Sequence, residues 1–165
     1  MQNLGVAITG SGSAVPATCL HNQRLTELVE TSEEWITTRT GIRQRRLALP
    51  FESLSVLATA ASSQAIASAG IKPEDLDLIL LATSTPDDLF GSACQVQAQL
   101  GATNAVAFDL TAACSGFVFG LVTAAQYIRT GTYQNVLLIG ADILSRWVDW
   151  QDRVLVYCSV MVQVQ

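Results

Sequence analysis

Residues 109–121, DLTAACSGFVFGL, decide how this chain is read. A strand ends near Phe108, a short connector follows, and Cys114 opens a helix that runs to Arg129. That helix carries Phe117, Val118, Phe119, Leu121, Val122 and Ile128. Apolar residues on nearly every face mark a buried central helix rather than a surface one. A cysteine in its first turn sits at the positive end of the helix dipole, among backbone N–H groups that lack intrahelical partners. Both features favour thiolate over thiol, the form that a nucleophile requires. The same N–H groups suit an oxyanion on a bound thioester. The competing reading makes Cys114 a small buried hydrophobe, the commonest role of a free cysteine. Cys19, in a loop, and Cys94, inside an amphipathic helix, lack the helix-start setting and keep that plainer role.

Working outward, strands alternate with helices. Val136–Ala141 follows the central helix after Gly131, and Leu76–Ala82 precedes it; both are short apolar runs of the kind buried on both faces of a parallel sheet. Ala105–Phe108 is a further strand. A helix is predicted over Leu54–Ala69, with Ser53 to cap it, an Ala-rich body and Gly70 as terminator. Ser92–Leu100 is predicted as a helix closing at Gly101. Nearer the N-terminus, Gly5–Thr9 reads as a strand, Asn22–Glu30 and Glu33–Thr38 as helices, the latter ending at Gly41, and Arg39–Pro50 as an irregular basic stretch. Strands separated by helices of this length imply right-handed βαβ crossovers and a layered α/β fold with a mixed, mainly parallel sheet.

Composition excludes several classes. Half of the 165 residues are apolar and only 14% are charged, as in a globular chain with a substantial core. Mean hydropathy is +0.36, but no apolar run approaches the roughly 20 residues of a spanning helix, so no membrane association is expected. The N-terminus has no basic region ahead of an apolar stretch, and a cytoplasmic location is the default. A formal charge of −5 argues against nucleic-acid binding. Four scattered cysteines without a C-x-x-C pair, and the single histidine His21, make a metal site or a disulfide framework unexpected. His21 itself reads as a surface or loop-capping residue.

A second cluster is TSEEWITTRTGIRQRR at 31–46. Trp35 and Arg39 are four residues apart and share a helix face. An aromatic ring beside a guanidinium can clamp a flat base, and Arg43, Arg45 and Arg46 could meet phosphates. A solvated basic loop balanced by Glu27, Glu30, Glu33 and Glu34 is the simpler reading of these residues alone. Gly10-Ser-Gly12 follows a strand as a dinucleotide loop would. Val15 stands where the third glycine belongs and Pro16 follows, so the pair reads as a tight turn.

Taken together, these segments resemble the β-ketoacyl-acyl carrier protein synthase III family of the thiolase superfamily. The carriers are TSEEWITTRTGIRQRR at 31–46, LDLILLATSTPDDLFGSACQVQAQLG at 76–101, DLTAACSGFVFGL at 109–121 and VLLIGADILSRWVDWQDR at 136–153. The resemblance implies the N-terminal half of a thiolase-like fold. It implies that Cys114 accepts an acetyl group from acetyl-CoA, and that malonyl-acyl carrier protein then decarboxylates and attacks the thioester. Trp35 and Arg153 would sandwich the CoA adenine, with Thr31 and Arg39 on the nucleotide. Phe90 would enter the acyl pocket of a partner subunit, in a homodimer paired across about Ala105–Phe108. Neither a metal nor a tightly bound cofactor is implied; acetyl-CoA is a substrate.

The resemblance stops at Arg153, so residues 1–153 are expected to form the thiolase-like N-terminal domain and 154–165 an aberrant tail. The family's catalytic histidine and asparagine belong to its C-terminal half. Where the family continues with a glycine-rich FGDGAGA stretch, this chain reads VLVYCSVMVQVQ at 154–165. Back-translation restarted at the third base of the Val154 codon permits TCVLFGDGAGA, the family's continuation, which is the signature expected of a reading-frame shift. Genomic DNA that fails to encode this stretch in the shifted frame would exclude the shift.

Overall fold

The structure is a computed structural model that describes residues 5–152 and the backbone of 162–164. The chain divides into two compact units, one of Ser53–Asp142 with the N-terminal residues through Ala14 and the last two residues, the other of Val15–Glu52 and Ile143–Gln163.

In the first unit the sheet has the order β4-β3-β5, from β3 (Leu78–Ala82), β4 (Val106–Leu110) and β5 (Val136–Ile143). β3 is parallel to both β4 and β5, with Leu80 level with Phe108 on one side and Leu138 on the other. All five residues of β3 are buried, as its unbroken apolar run requires of a central parallel strand. β5 differs from expectation: its residues alternate between half-buried and buried, because one side is less covered than the other. The edge strand β4 leaves Val106 and Phe108 partly exposed.

Helix α3 (Leu54–Ala69) has the predicted bounds. Ser53 Oγ accepts from Val56 N at 3.2 Å, and Gly70 closes the helix in the left-handed region at φ 69°. Helix α4 (Ala93–Leu100) ends likewise at Gly101. The Gly5–Thr9 strand does not form; this segment belongs to no sheet, and Gly10 and Gly12 are not a turn. A Cβ at either glycine would collide with the α3 backbone at Ala65 and Ala61, so these glycines permit a close approach to that helix.

Helix α5 (Gly116–Arg129) is set on the sheet through its small residues, with Gly116, Gly120 and Ala124 buried. A Cβ on Gly120 would lie 2.6 Å from Leu138 Cδ1, and one on Gly140 would lie 2.8 Å from Phe117 Cδ2. The expectation of a fully buried helix fails here. Val118, Phe119, Leu121 and Val122 are 42–59% exposed, because one face of α5 meets the sheet and the other has no covering layer among the described residues.

The second unit contains β1 (Cys19–His21) and β2 (Gln44–Arg46), an antiparallel pair that pattern reading missed. Helix α1 covers only Asn22–Leu25, short of the expected Asn22–Glu30, and α2 covers Glu33–Thr40. Leu25, Val29 and Ile36 form its core, against Leu20, Trp35, Val148 and Trp150. No helix among the described residues is long and apolar enough to cross a membrane.

Candidate active site

Cys114 lies at the carboxyl ends of the parallel strands, where open α/β sheets place their ligands. β4 ends at Leu110, and a single turn of 3-10 helix, Ala113–Ser115, leads into α5. The thiol therefore precedes α5 rather than belonging to its first turn. Ala113, immediately before it, has φ +44°, the one positive φ at a non-glycine residue among those described. A side chain there strains the backbone, and such strain persists only where the surroundings enforce it. Here they do: Thr83 N donates to Leu110 O at 3.1 Å, Thr111 Oγ1 donates to Thr83 O at 2.9 Å, and Ser115 N donates to Ala112 O at 3.1 Å. The result is a sharp strand-to-helix turn that presents an exposed free thiol. Burial as a small hydrophobe, the competing reading of Cys114, does not fit this exposure.

Neighbouring carboxylates complete the scaffold. Asp109 on β4 accepts from Ser92 N at 2.8 Å and Ala93 N at 2.7 Å, tying the start of α4 to the strand that leads to Cys114. Asp87 accepts from Leu54 N and Ser55 N at 2.9 and 2.8 Å. Asp142, at the end of β5, accepts from Ser84 N at 2.8 Å and from the hydroxyls of Thr83 and Thr85. None of these three was singled out by pattern. Their signal is a lone Asp at a strand end or in the connector after one, which becomes meaningful only once the strand order is known. No side chain among the described residues hydrogen-bonds to Cys114. A cavity of about 680 Å³ elsewhere in this unit, between α3, α5 and β5, does not include Cys114 in its lining. Phe90, in the connector before α4, is 91% exposed.

The other free cysteines have ordinary settings: Cys19 Sγ donates to Gln44 Oε1 at 3.1 Å, and Cys94 Sγ to Ala107 O at 3.5 Å. His21 Nε2 lies 3.8 Å from Cys19 Sγ.

The basic cluster belongs to the second unit. Arg39 stacks over the Trp35 ring, 4.3 Å from guanidinium carbon to ring centroid, as their spacing on α2 predicts. Ser32 caps that helix from Trp35 N, and Gly41 ends it at φ 71°. The four arginines do not act alike. Arg45 is 2% exposed and donates from Nη1 to Asn22 Oδ1 at 2.7 Å, while Asn22 Nδ2 donates to Ile42 O at 2.7 Å. Arg46 reaches the carbonyls of Pro16 and Ala17. Arg45 and Arg46 therefore hold the β1–β2 pair, and Arg45 is internal rather than a solvated charge; Arg39 and Arg43 stay exposed. Thr31 is half-buried, with Oγ1 enclosed and without a hydrogen-bond partner among the described residues. Arg153 lies outside the described residues.

Comparison with known proteins gives the same family from three directions. Residues 108–159 match the family model of 3-oxoacyl-[acyl-carrier-protein (ACP)] synthase III. Among curated proteins, β-ketoacyl-[acyl-carrier-protein] synthase III of Trichormus variabilis is 83% identical over 153 residues, covering 93% of this chain and 46% of the relative. That of Synechococcus elongatus is 71% identical over 151 residues, covering 91% and 45%. Among solved structures, 3-oxoacyl-[acyl-carrier-protein] synthase III from Aquifex aeolicus superposes with a TM-score of 0.92 at 46% identity, covering 98% of this chain and 54% of that one. The priming β-ketosynthase of the R1128 polyketide pathway superposes with a TM-score of 0.91 at 35% identity, covering 95% and 47%. The chain spans about half the length of the curated relatives it matches. Over the portion that it spans, with its thiolase-like sheet and its turn at Cys114, the chain is similar to β-ketoacyl-acyl carrier protein synthase III.

Proposed function

We propose that this chain carries the acyl-accepting half of a condensing enzyme of fatty acid synthesis, with Cys114 as the nucleophile. In the first step the Cys114 thiolate attacks the carbonyl of acetyl-CoA. A new carbon–sulfur bond forms, the bond to CoA breaks, and CoA leaves as the thiol after taking up a proton. In the second step malonyl-acyl carrier protein loses carbon dioxide, and the resulting carbanion attacks the acetyl carbon, returning Cys114 as thiolate. No metal or redox cofactor is consumed in either step. The observation that carries this reading is the strained Ala113 at φ +44° directly before an exposed cysteine. A purely structural cysteine gives the chain no reason to maintain that strain.

The nucleotide of acetyl-CoA is assigned to Trp35 and Arg39, with Thr31 and, from the resemblance, Arg153. The stacked Trp35–Arg39 pair supports this, since an aromatic ring beside a guanidinium suits a flat base. The histidine and asparagine that the resemblance requires for condensation are not among these 165 residues, whose one histidine is His21. These residues by themselves are therefore assigned acyl transfer to Cys114 and not acetoacetyl-acyl carrier protein formation. Residues 1–153 are assigned to the thiolase-like domain, and 154–165 to an out-of-frame tail. A homodimer paired across β4 is supported by the partly exposed edge residues Val106 and Phe108 and by the exposed Phe90, which the reading seats in a partner subunit's acyl pocket. Cytoplasmic residence is part of the same reading.

Intact mass after exposure to acetyl-CoA tests the assignment. One acetyl group on Cys114, absent in Cys114→Ser, is expected; labelling of Cys94 or Cys19 in preference to Cys114 refutes it. Likeness to a priming polyketide synthase favours a second reading, in which the starter is a different acyl-CoA. Competition between acetyl-CoA and longer or branched acyl-CoAs for Cys114 separates the two.

A further inference from the structure

Asp142 is the next-to-last residue of β5, two strands away from the Cys114 connector, and holds the connector after β3 with one oxygen. Its Oδ1 accepts from Ser84 N at 2.8 Å, Thr85 Oγ1 at 3.1 Å and Thr83 Oγ1 at 3.3 Å. Thr83 Oγ1 in turn accepts from Thr85 N at 3.1 Å. Thr83 is 3% exposed and Thr85 7%, so the carboxylate meets both hydroxyls out of reach of bulk water, where a hydrogen bond counts for more. The held residue, Thr83, is also the one that grips the Cys114 connector: its N–H donates to Leu110 O, and its carbonyl accepts from Thr111 Oγ1. Two residues after Thr111 comes the strained Ala113, then Cys114. A continuous chain of hydrogen bonds thus joins the ends of three adjacent parallel strands to the turn.

From this we infer that Asp142 is the positioning residue of the thiol, acting through Thr83 and Thr111 to keep Ala113 in its left-handed conformation. The inference rests on the reading of Cys114 as acyl acceptor. Strain at Ala113 favours return to negative φ, and Thr111 is the last side-chain anchor before it. Without Asp142, the connector at residues 83–85 loses the acceptor that orders it. The Thr83 carbonyl then no longer offers Thr111 a fixed partner, the turn relaxes, and Cys114 loses its presented position. Asn at 142 keeps an acceptor oxygen in the same place, so it preserves the effect where Ala does not.

The test uses the full chain and three single variants: Asp142→Ala, Asp142→Asn and Thr111→Val. Two readouts are taken: hydrogen exchange of the Ser115 amide, and site-resolved alkylation of Cys114 by iodoacetamide with Cys94 as internal reference. Asp142→Ala and Thr111→Val are each expected to speed Ser115 exchange by about tenfold and to lower the Cys114-to-Cys94 alkylation ratio by about fivefold, with β3 amides unchanged. Asp142→Asn is expected to stay near the parent, and the Asp142→Ala, Thr111→Val double variant to go no further than either single one. The inference is overturned if Ser115 exchange and the ratio stay at parent values, or if β3 and α3 amides speed up by the same factor, the mark of general loosening. If Asp142→Ala fails to fold, Thr111→Val and Asp142→Asn decide the matter alone. Failure of the unsubstituted chain to take an acetyl group from acetyl-CoA refutes the functional reading only, because the exchange and alkylation readouts do not depend on it.

Discussion

At the start of α3, Leu54 and Ser55 donate to the Asp87 carboxylate and Val56 donates to Ser53 Oγ. At the start of α4, Ser92 and Ala93 donate to Asp109. At the start of α5 no side-chain cap is made, and the approach runs through a strained residue and an exposed thiol. The first few N–H groups of any helix need partners from outside it. In α3 and α4 the chain supplies a carboxylate, which satisfies those donors and complements the helix dipole. In α5 it supplies none among the described residues: the preceding 3-10 turn takes Ser115 N and Gly116 N onto the carbonyls of Ala112 and Ala113, and the positive end of the dipole faces the Cys114 turn with no carboxylate against it. Two helix starts carry a carboxylate and one does not.

The comparison is broken most severely by removing the carboxylates. Asp87→Ala and Asp109→Ala each leave two helix-start N–H groups without acceptors, and each is expected to cost about 2 kcal/mol in urea unfolding. A loss below about 0.5 kcal/mol would mean that water replaces the cap and the contrast with α5 is empty. Glycine scanning sharpens the contrast at intermediate size. Ala60→Gly, on the exposed side of α3, is expected to cost about 1 kcal/mol, the ordinary penalty in a helix. Ala113→Gly is expected to fall within about 0.5 kcal/mol of the parent, since relief of strain offsets the added freedom of the unfolded chain. The same substitution is expected to slow acetyl transfer to Cys114. An equal loss of stability at both positions would show that φ +44° at Ala113 stores nothing.

The smallest effect tests the uncovered face of α5. Val122→Lys is expected to change stability by about 0.5 kcal/mol or less, because Val122 is already 55% exposed. It is also expected to reduce binding of a hydrophobic dye, since it interrupts an apolar patch formed with Val118, Phe119 and Leu121. A large loss of stability would mean that α5 is covered after all.

What was legible in the sequence was local. The bounds of α3 follow from Ser53 at one end and Gly70 at the other, with good helix formers between. Gly41 and Gly101 end their helices for the same left-handed reason. Leu78–Ala82 is central because no polar residue interrupts it. Cys114 could be singled out because a cysteine between a strand and an apolar helix is unusual, and the spacing of Trp35 and Arg39 anticipated their stacking. The misses involve partners distant in the chain. β1 and β2 are three residues each, too short for periodicity, and their pairing depends on Arg45 meeting Asn22 across 23 positions. Gly5–Thr9 has a strand's composition, yet a strand exists only where a neighbour accepts its hydrogen bonds.

The sequence by itself determined where the glycine-terminated helices stop, which strand is central and which thiol stands apart, because caps, glycine conformations and apolar runs act within a few residues. Only the tertiary structure decided that Arg45 is internal, that α5 is open on one side, and that Asp87, Asp109 and Asp142 each tie one strand or connector to another. A carboxylate has no preferred partner until folding brings N–H groups from dozens of residues away within hydrogen-bonding distance, and sequence spacing carries no record of that encounter.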